Sequence, residues 1–447
     1  MRADFREFAH NLDRLTERRR SEPIVIAVSG GSDSLALLHL MADPAKSRSL
    51  SLHAVTIDHN LRPEARSEAL FVADICAGLG IPHNILAIDW PEGEVPSQAR
   101  ARRHRYRLLS GLARRMGARL VLTGHTHDDQ LETFCLRRAA KSDDWGLAGM
   151  DVAAPLPVWS EGEGLFLFRP LLGTSRSALR DYLSARQVDW VEDPSNSDPR
   201  FERVRHREAL AADSALRSDV SDRQSELQRA RLAARACLRA WVDEELTWLP
   251  GGAVKLGLEA LHGLQASLQY RLFSLLLPSV AGQETLPRKD RLEALLVRLS
   301  HVDAEVSVTL GGCRISTLDG EVLITPEVER PHIAPVEFPP GRHVWHGRIG
   351  VHWTGNAPLR LATLHARALP HSLKEASLPL KIRDFLPAIL DEAGDVSSLP
   401  HKDEISGLLI TDLAPVRFVN WLWPESEVFG EEYRPAESFS AISSPML

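Results

Sequence analysis

Six consecutive residues, Ser29-Gly30-Gly31-Ser32-Asp33-Ser34, place two glycines, three hydroxyls and a carboxylate between the apolar run Ile24-Val25-Ile26-Ala27-Val28 and the helix-forming stretch Leu35-Ala36-Leu37-Leu38. Strand, glycine turn and helix in that order make an anion cradle. The glycines leave no Cβ between backbone and ligand, and Ser29, Ser32, Ser34 and the first free N–H groups of the helix can all donate to an anion at its positive end. No lysine follows the glycines and no G-x-G-x-x-G spacing is present, so the loop is neither a Walker A motif nor a dinucleotide fingerprint. A second constellation, Thr123-Gly124-His125-Thr126-His127-Asp128-Asp129-Gln130-Leu131-Glu132-Thr133, supports two chemistries. His125, His127 and Asp129 have an H-x-H-x-D spacing that binds zinc in metallo-hydrolases, although Gln130 stands where a further histidine ligand would be. On a helix starting near Thr126, Asp129 and Glu132 are instead three apart on one face, a carboxylate pair suited to a cationic amine. An acidic helix N-terminus that only complements the helix dipole is the plain alternative.

A third feature is the block Arg100, Arg102, Arg103, Arg105, Arg107, Arg114, Arg115 and Arg119, with no acidic residue among them. Alone it reads as a solvated helix face. Beside an anion cradle it reads as a phosphate or RNA surface, because guanidinium forks bind phosphate oxygens in pairs.

These groups need a frame that brings them together, and the hydrophobic pattern supplies one. After the first strand and helix come an apolar strand over 52–57 ending in Asp58-His59-Asn60, a helix over 67–80, a strand over 84–88, the arginine-rich helix from about 97 to 116 and a strand over 119–123. Such alternation builds a parallel sheet covered on both faces, with ligands outside the carboxyl ends of its strands. The three polar clusters each follow a strand directly and so should meet at one crevice. Near Ala212 the pattern changes: residues 219–246 read as a long charged helix with Leu227, Ala234, Cys237, Leu238 and Trp241 on its apolar side, followed by helices to Leu299. From Glu305 the period becomes two, and residues 313–315 and 322–324 flank the turn Asp319-Gly320 as a hairpin. A proline-rich stretch over 329–340 marks a boundary, beyond which residues 344–353 begin a region of mixed strands and short helices. The expected architecture is α/β: a Rossmann-like parallel-sheet N-terminal domain over 1–212, a helical and hairpin domain over 213–330, and a smaller mixed α+β C-terminal domain over 331–447.

A chain of 447 residues exceeds the size at which one core keeps growing, which agrees with several domains. Its formal net charge of −7 does not exclude a nucleic-acid partner, because residues 1–210 hold 29 Lys and Arg against 29 Asp and Glu and the acidic excess lies wholly in the remainder. No apolar run approaches the ~18 residues of a membrane span, and Asp4, Glu7, Asp13 and Glu17 interrupt the first twenty residues, so a cytoplasmic location without membrane contact is expected. Cys76, Cys135, Cys237 and Cys313 form no CxxC pair and are expected to be core thiols.

Ser29 to Ser34 resembles the SGGxDS signature of the PP-loop ATP pyrophosphatases, which split ATP between its α and β phosphates and transfer AMP. Six further stretches follow in register: Asp58-His59-Asn60-Leu61-Arg62, Ala101-Arg102-Arg103-His104-Arg105-Tyr106, Gly124 to Thr133, Gly146-Leu147-Ala148-Gly149-Met150, Arg169-Pro170-Leu171, and Glu192-Asp193-Pro194-Ser195-Asn196 with Phe201, Arg203 and Arg207. Together they resemble the tRNA(Ile)-lysidine synthetase family, with weaker similarity through Leu310-Gly311-Gly312-Cys313-Arg314. The chain departs from that family at Ala140-Lys141-Ser142-Asp143, where an Arg-Gly-Ser-Gly stretch is usual, and at Gln98, where many members have Glu. The resemblance implies ATP-dependent ligation of free L-lysine to C2 of the wobble cytidine of the CAU-anticodon isoleucine tRNA, through an adenylated tRNA, changing codon reading from AUG to AUA. It implies ATP and Mg²⁺ on Ser29, Gly30, Gly31, Ser32, Asp33 and Ser34, with the metal on Asp33. Asp58, His59 and His125 would contact the nucleotide, Asp129 and Glu132 the incoming lysine. Arg102, Arg105, Arg203 and Arg207 would steady negative charge on AMP or on the anticodon backbone. A homodimer is a further expectation. Four alternatives stand beside this reading: a PP-loop tRNA thiolase, which usually needs catalytic or cluster-binding cysteines; an ATP-dependent amide or amidine synthetase on a small metabolite, which would need no large C-terminal RNA-binding region; a non-catalytic RNA-binding protein, which would have no reason to keep Asp33 with the carboxylate pair; and a zinc hydrolase using His125, His127 and Asp129.

Overall fold

Residues 24–27 are β-branched or small and apolar throughout, the pattern of a strand covered on both faces, and they form the strand β1 (Ile24–Ala27) at the middle of a six-stranded sheet. The computed structural model describes residues 5–18, 22–62, 64–192, 198–301, 305–327, 334–365, 380–401, 403, 405–424 and 428. The Asp193-Pro194-Ser195-Asn196 stretch and residues 329–333 of the proline-rich segment lie outside them. The chain divides into two compact units, one taking residues up to Ala234 and a short piece beginning at Trp423, the other Arg235–Leu422.

In the first unit the order is α1 (Arg6–Arg18), β1, α2 (Ser32–Arg48), β2 (Leu52–Asp58), α3 (Glu64–Leu79), β3 (His83–Ala87), α4 (Gln98–Met116), β4 (Leu120–Thr123), α5 (His127–Ala139), α6 (Asp144–Leu147), β5 (Ala153–Pro155), β6 (Phe166–Phe168), α7 (Arg176–Ser184) and α8 (Glu202–Ala212). The sheet runs β3-β2-β1-β4-β6-β5, parallel except for β5. Ile24 is in register with Leu52 on one side and Leu120 on the other. The chain therefore steps outward through β2 and β3, then returns to the far side of β1 with β4. That reversal opens a crevice between the ends of β1 and β4, where such sheets bind ligands. Leu35, Leu38 and Met41 of α2 pack on one face, and Tyr106, Leu109 and Leu112 of α4 on the other. The strands β5 and β6 extend the sheet beyond what the alternation indicated.

The boundary between the units falls inside α9 (Ser214–Glu245), which starts more than a turn before the charged stretch because Asp213 accepts from the Leu216 N–H at 2.9 Å. Cys237 of this helix is exposed, correcting its expected place in a core; Cys76, Cys135 and Cys313 are buried. Residues 246–257, read from sequence as helical, form β7 (Leu246–Leu249) and β8 (Ala253–Gly257). Pro250 and the left-handed Gly251 (φ 77°) and Gly252 (φ 76°) make the turn. Helices α10 (Leu258–Gly263), α11 (Ala266–Ala281) and α12 (Lys289–Leu299) precede β9 (Ser307–Leu310), β10 (Cys313–Leu318) and β11 (Glu321–Pro326). The sheet order is β7-β8-β11-β10-β9. The β10–β11 hairpin turns at Asp319 (φ 51°) and Gly320 (φ 75°), the turn expected there. Farther on, residues 344–353 are two strands, Gly341–Trp345 and Ile349–Trp353, reversed at His346 and Gly347. No helix among the described residues is long and apolar enough to cross a membrane.

Candidate active site

Both sides of the crevice are glycine-dependent. Gly30 has φ 84°, and its carbonyl accepts from the Val191 N–H at 2.9 Å. Gly31 begins α2, and no side chain caps that end of the helix. Ser34 shapes the loop from within: its hydroxyl donates to the Gly31 carbonyl (3.0 Å) and accepts from the Ser29 N–H (3.1 Å). The Ser32 hydroxyl donates to Asp33 Oδ1 at 3.1 Å. Across the crevice Gly124 follows β4, and a Cβ there would lie 2.8 Å from the Asp33 carbonyl oxygen and 2.9 Å from the Ser34 nitrogen. The two loops therefore touch through backbone.

Thr126 caps α5, donating from its N–H and its hydroxyl to Asp129 Oδ2 (both 2.8 Å). Half of the Asp129 carboxylate is thus spent on a capping box. Its other oxygen accepts from Arg203 Nη2 (2.6 Å) and Arg176 Nη2 (3.2 Å). Glu132, with a side chain only 1 % exposed, accepts from Arg203 Nε (2.5 Å), Arg207 Nε (2.7 Å) and Arg176 Nη1 (3.3 Å). Arg176 Nε also donates to Asp33 Oδ2 at 2.9 Å, which ties the first loop to the carboxylate pair. Burial favours the neutral acid at Glu132, but the hydrogen bonds and charges of Arg207 and Arg203 outweigh it and hold the carboxyl below its ordinary range. At Asp33 burial wins over Arg176 and raises the carboxyl. The pair expected to face an ammonium group is thus met by three guanidiniums.

His125 sits among cations. Burial first, then the charges of Arg169, Arg105, Arg102 and Arg203, push its imidazole well below its usual range, so it is neutral near pH 7. Its Nδ1 lies 2.9 Å from the Thr123 hydroxyl. Arg102 and Arg105 lie against the Tyr106 ring, 4.9 and 5.0 Å from its centroid. His59 is lowered by burial and by Arg105. Asp58 accepts from the Asn60 N–H at 2.8 Å, which shapes the turn after β2. The zinc spacing does not assemble: His127 lies 3.4 Å from the Ser221 hydroxyl, Asp129 is committed to Thr126 and arginines, and among the described residues no three His, Cys, Asp or Glu side chains are grouped to hold a metal. Nor do cysteines offer thiolates here, since burial raises Cys135 and pushes Cys76 up to about 11.

The arginine block is divided by the fold. Arg102 and Arg105 lie against the Tyr106 ring and act on His125 through their charge, whereas Arg107 pairs with Glu161 (2.9 Å) and Arg114 donates to the carbonyls of Glu161 and Glu163. Lys141, at the departure from the family pattern, has φ 55°, a conformation that glycine adopts more readily. Sequence reasoning missed Arg176, and missed Asp128, which accepts from the Arg176 N–H (2.7 Å) and from Arg217 Nη2 (3.0 Å). One signal was available: Arg176 opens α7, where the helix dipole disfavours a cation, so an arginine there points to acidic partners elsewhere.

A parallel sheet carrying this loop at its reversal point defines a PP-loop domain, and the family described as PP-loop domain matches residues 5–213. Over 320 residues the chain is 38% identical to a tRNA(Ile)-lysidine synthase of Hyphomonas neptunium, covering 72% of this chain and 86% of that one. It is 38% identical over 293 residues to one of Ruegeria pomeroyi (65% and 68% covered) and 35% identical over 374 residues to one of Brucella anthropi (81% of each). The chain belongs to the tRNA(Ile)-lysidine synthase family.

Proposed function

We propose that this chain is a ligase that joins free L-lysine to C2 of the wobble cytidine in the CAU-anticodon isoleucine tRNA, consuming ATP to AMP and pyrophosphate. The observation that carries the reading is the junction of an anion loop, Ser29–Ser34, with the Asp129–Glu132 carboxylate pair at one sheet crevice in a chain of this family. The cytidine C2 oxygen attacks the α-phosphorus of ATP and pyrophosphate leaves. The ε-amine of lysine then attacks C2 and AMP leaves, a far better leaving group than the bare oxygen. Gly30, Gly31 and the serines hold the departing pyrophosphate. Asp33 offers one carboxylate, which suits Mg²⁺ when phosphate oxygens and water complete its shell; the ion supplies neutralisation of phosphate charge. Neutral His125, with Asp58 and His59, contacts the nucleotide. Arg102, Arg105 and Arg203 steady the negative charge of AMP. Glu132, kept ionised, and Asp129 hold the lysine ammonium, which has a solution pKa of ~10.4 and must lose a proton before attack. Residues 213–330 and 331–447 would serve as tRNA-binding domains in the cytoplasm.

The test is incubation with ATP, radiolabelled lysine and bulk bacterial tRNA. Label fixed into RNA is expected. ATP turnover with no lysine entering RNA refutes the reading.

A further inference from the structure

Every oxygen of the Asp129–Glu132 pair already accepts two hydrogen bonds: Asp129 Oδ2 from the Thr126 N–H and hydroxyl, Asp129 Oδ1 from Arg203 and Arg176, Glu132 Oε1 from Arg207 and Arg176, and Glu132 Oε2 from Arg203 and, at 3.4 Å, from Arg207. An ammonium ion, with three donors and no acceptor, can enter only by displacing a guanidinium. The three are not held equally. Arg203 and Arg207 each make a contact of 2.5–2.7 Å to the pair, whereas Arg176 comes no nearer to it than 3.2 Å, so its hold on the pair itself is the loosest of the three. It is also the one of the three that touches Asp33, through Nε at 2.9 Å. Asp33 stands in the first turn of α2, beside the uncapped positive end where a phosphate would bind. The backbone of Arg176 is anchored by its N–H to Asp128, so its side chain pivots from a fixed point.

We propose that Arg176 is a counter-ion gate. It occupies the carboxylate pair against lysine until nucleotide phosphates, which match a guanidinium fork in pairs, draw it across. Lysine then enters after ATP, and the pair is not filled by lysine while no nucleotide is present to activate the tRNA. This rests on reading Asp129 and Glu132 as the lysine site. Because the coupling is thermodynamic, it is reciprocal: lysine must tighten nucleotide by the factor by which nucleotide tightens lysine.

Equilibrium dialysis with radiolabelled L-lysine, with and without magnesium and α,β-methylene ATP, which cannot be split, tests the gate without turnover. In the wild-type protein the nucleotide should tighten lysine at least tenfold. Arg176→Met, which keeps length and removes the charge, should bind lysine more tightly than wild type without nucleotide and show less than threefold tightening with it. Wild-type lysine binding that nucleotide does not tighten overturns the gate, as does a folded Arg176→Met that keeps the full coupling. If Arg176→Met does not fold, Arg176→Lys is read in its place: it keeps the charge but has no fork to bridge Asp33 and the pair, so it should also show less than threefold tightening, and full coupling in it overturns the gate. Glu132→Gln separates the two levels. If it leaves lysine binding untouched, the lysine site itself is misassigned; if it abolishes binding while Arg176→Met retains coupling, the site stands and the gate falls.

Discussion

Replacing Gly124 by alanine adds one methyl at the tightest backbone contact of the crevice, 2.8 Å from the Asp33 carbonyl oxygen and 2.9 Å from both the Asp33 carbonyl carbon and the Ser34 nitrogen. All three are backbone atoms at the start of α2, so no side chain can rotate away, and the loop after β4 must part from the first turn of α2. Overpacking of this kind costs about 1–3 kcal/mol. For a unit of this size that corresponds to a fall in Tm of roughly 2–12 °C. The kinetic effect should be larger than the stability effect suggests, because a displacement near 1 Å at reacting groups can cost about 100-fold. The control is Gly78→Ala, the same chemical change inside α3 with nothing within 4 Å of the new Cβ. It should be neutral or stabilising by about 0.5–1 kcal/mol, the ordinary helix preference for alanine. Scanning calorimetry and tRNA-dependent pyrophosphate release on both variants make the comparison. If Gly124→Ala matches Gly78→Ala in Tm and in rate, the two loops are not in contact and the crevice is wrongly built.

Glu132→Gln removes the charge that two short guanidinium contacts hold, and a lost charge-assisted contact of ~1.5–3 kcal/mol should raise the lysine KM roughly 10- to 150-fold while adenylated tRNA accumulates; normal lysine saturation with blocked AMP transfer would move Glu132 to the nucleotide step. Affinity for tRNA should fall steeply with salt despite the net charge of −7, and Arg103→Glu with Arg107→Glu should flatten that dependence, whereas a slope that the double reversal leaves unchanged removes the RNA role of this helix face. In the C-terminal unit, burial lifts Asp412 to about 6 against the hydrogen bonds of Gly251 and Gly252 and the charge of Arg348. The folded state thus binds this proton more tightly than the unfolded chain, so its contribution to stability is full below about pH 4 and is lost as pH rises through 6. Denaturant midpoints of Asp412→Asn should lack that component between pH 4 and 6; parallel wild-type and variant profiles would refute it.

Local pattern was enough for the frame and for the placing of the candidate residues on it. The apolar run before Ser29, the glycine pair and the helical period after it set the β1–α2 unit, and alternation of strands and helices set the parallel sheet, because both depend on periodicities of 2 and 3.6 that a single segment carries. The i, i+3 spacing of Asp129 and Glu132 likewise placed them on one face, and Asp319-Gly320 announced its hairpin. Residues 246–257 failed that test because Leu246 to Leu249 is too short and too apolar to show a period, so the turn glycines Gly251 and Gly252 decided the matter. What only tertiary structure decided is which charges meet. Arg176 stands 143 positions from Asp33 and 44 from Glu132, and Arg203 and Arg207 reach Glu132 from 71 and 75 positions away. An arginine carries no mark of its partner: its stem is flexible and its charge acts on whatever the fold brings near. The same block of arginines therefore came to lie against the Tyr106 ring at Arg102 and Arg105 and to tether a loop at Arg114, according to the side of α4 on which each fell.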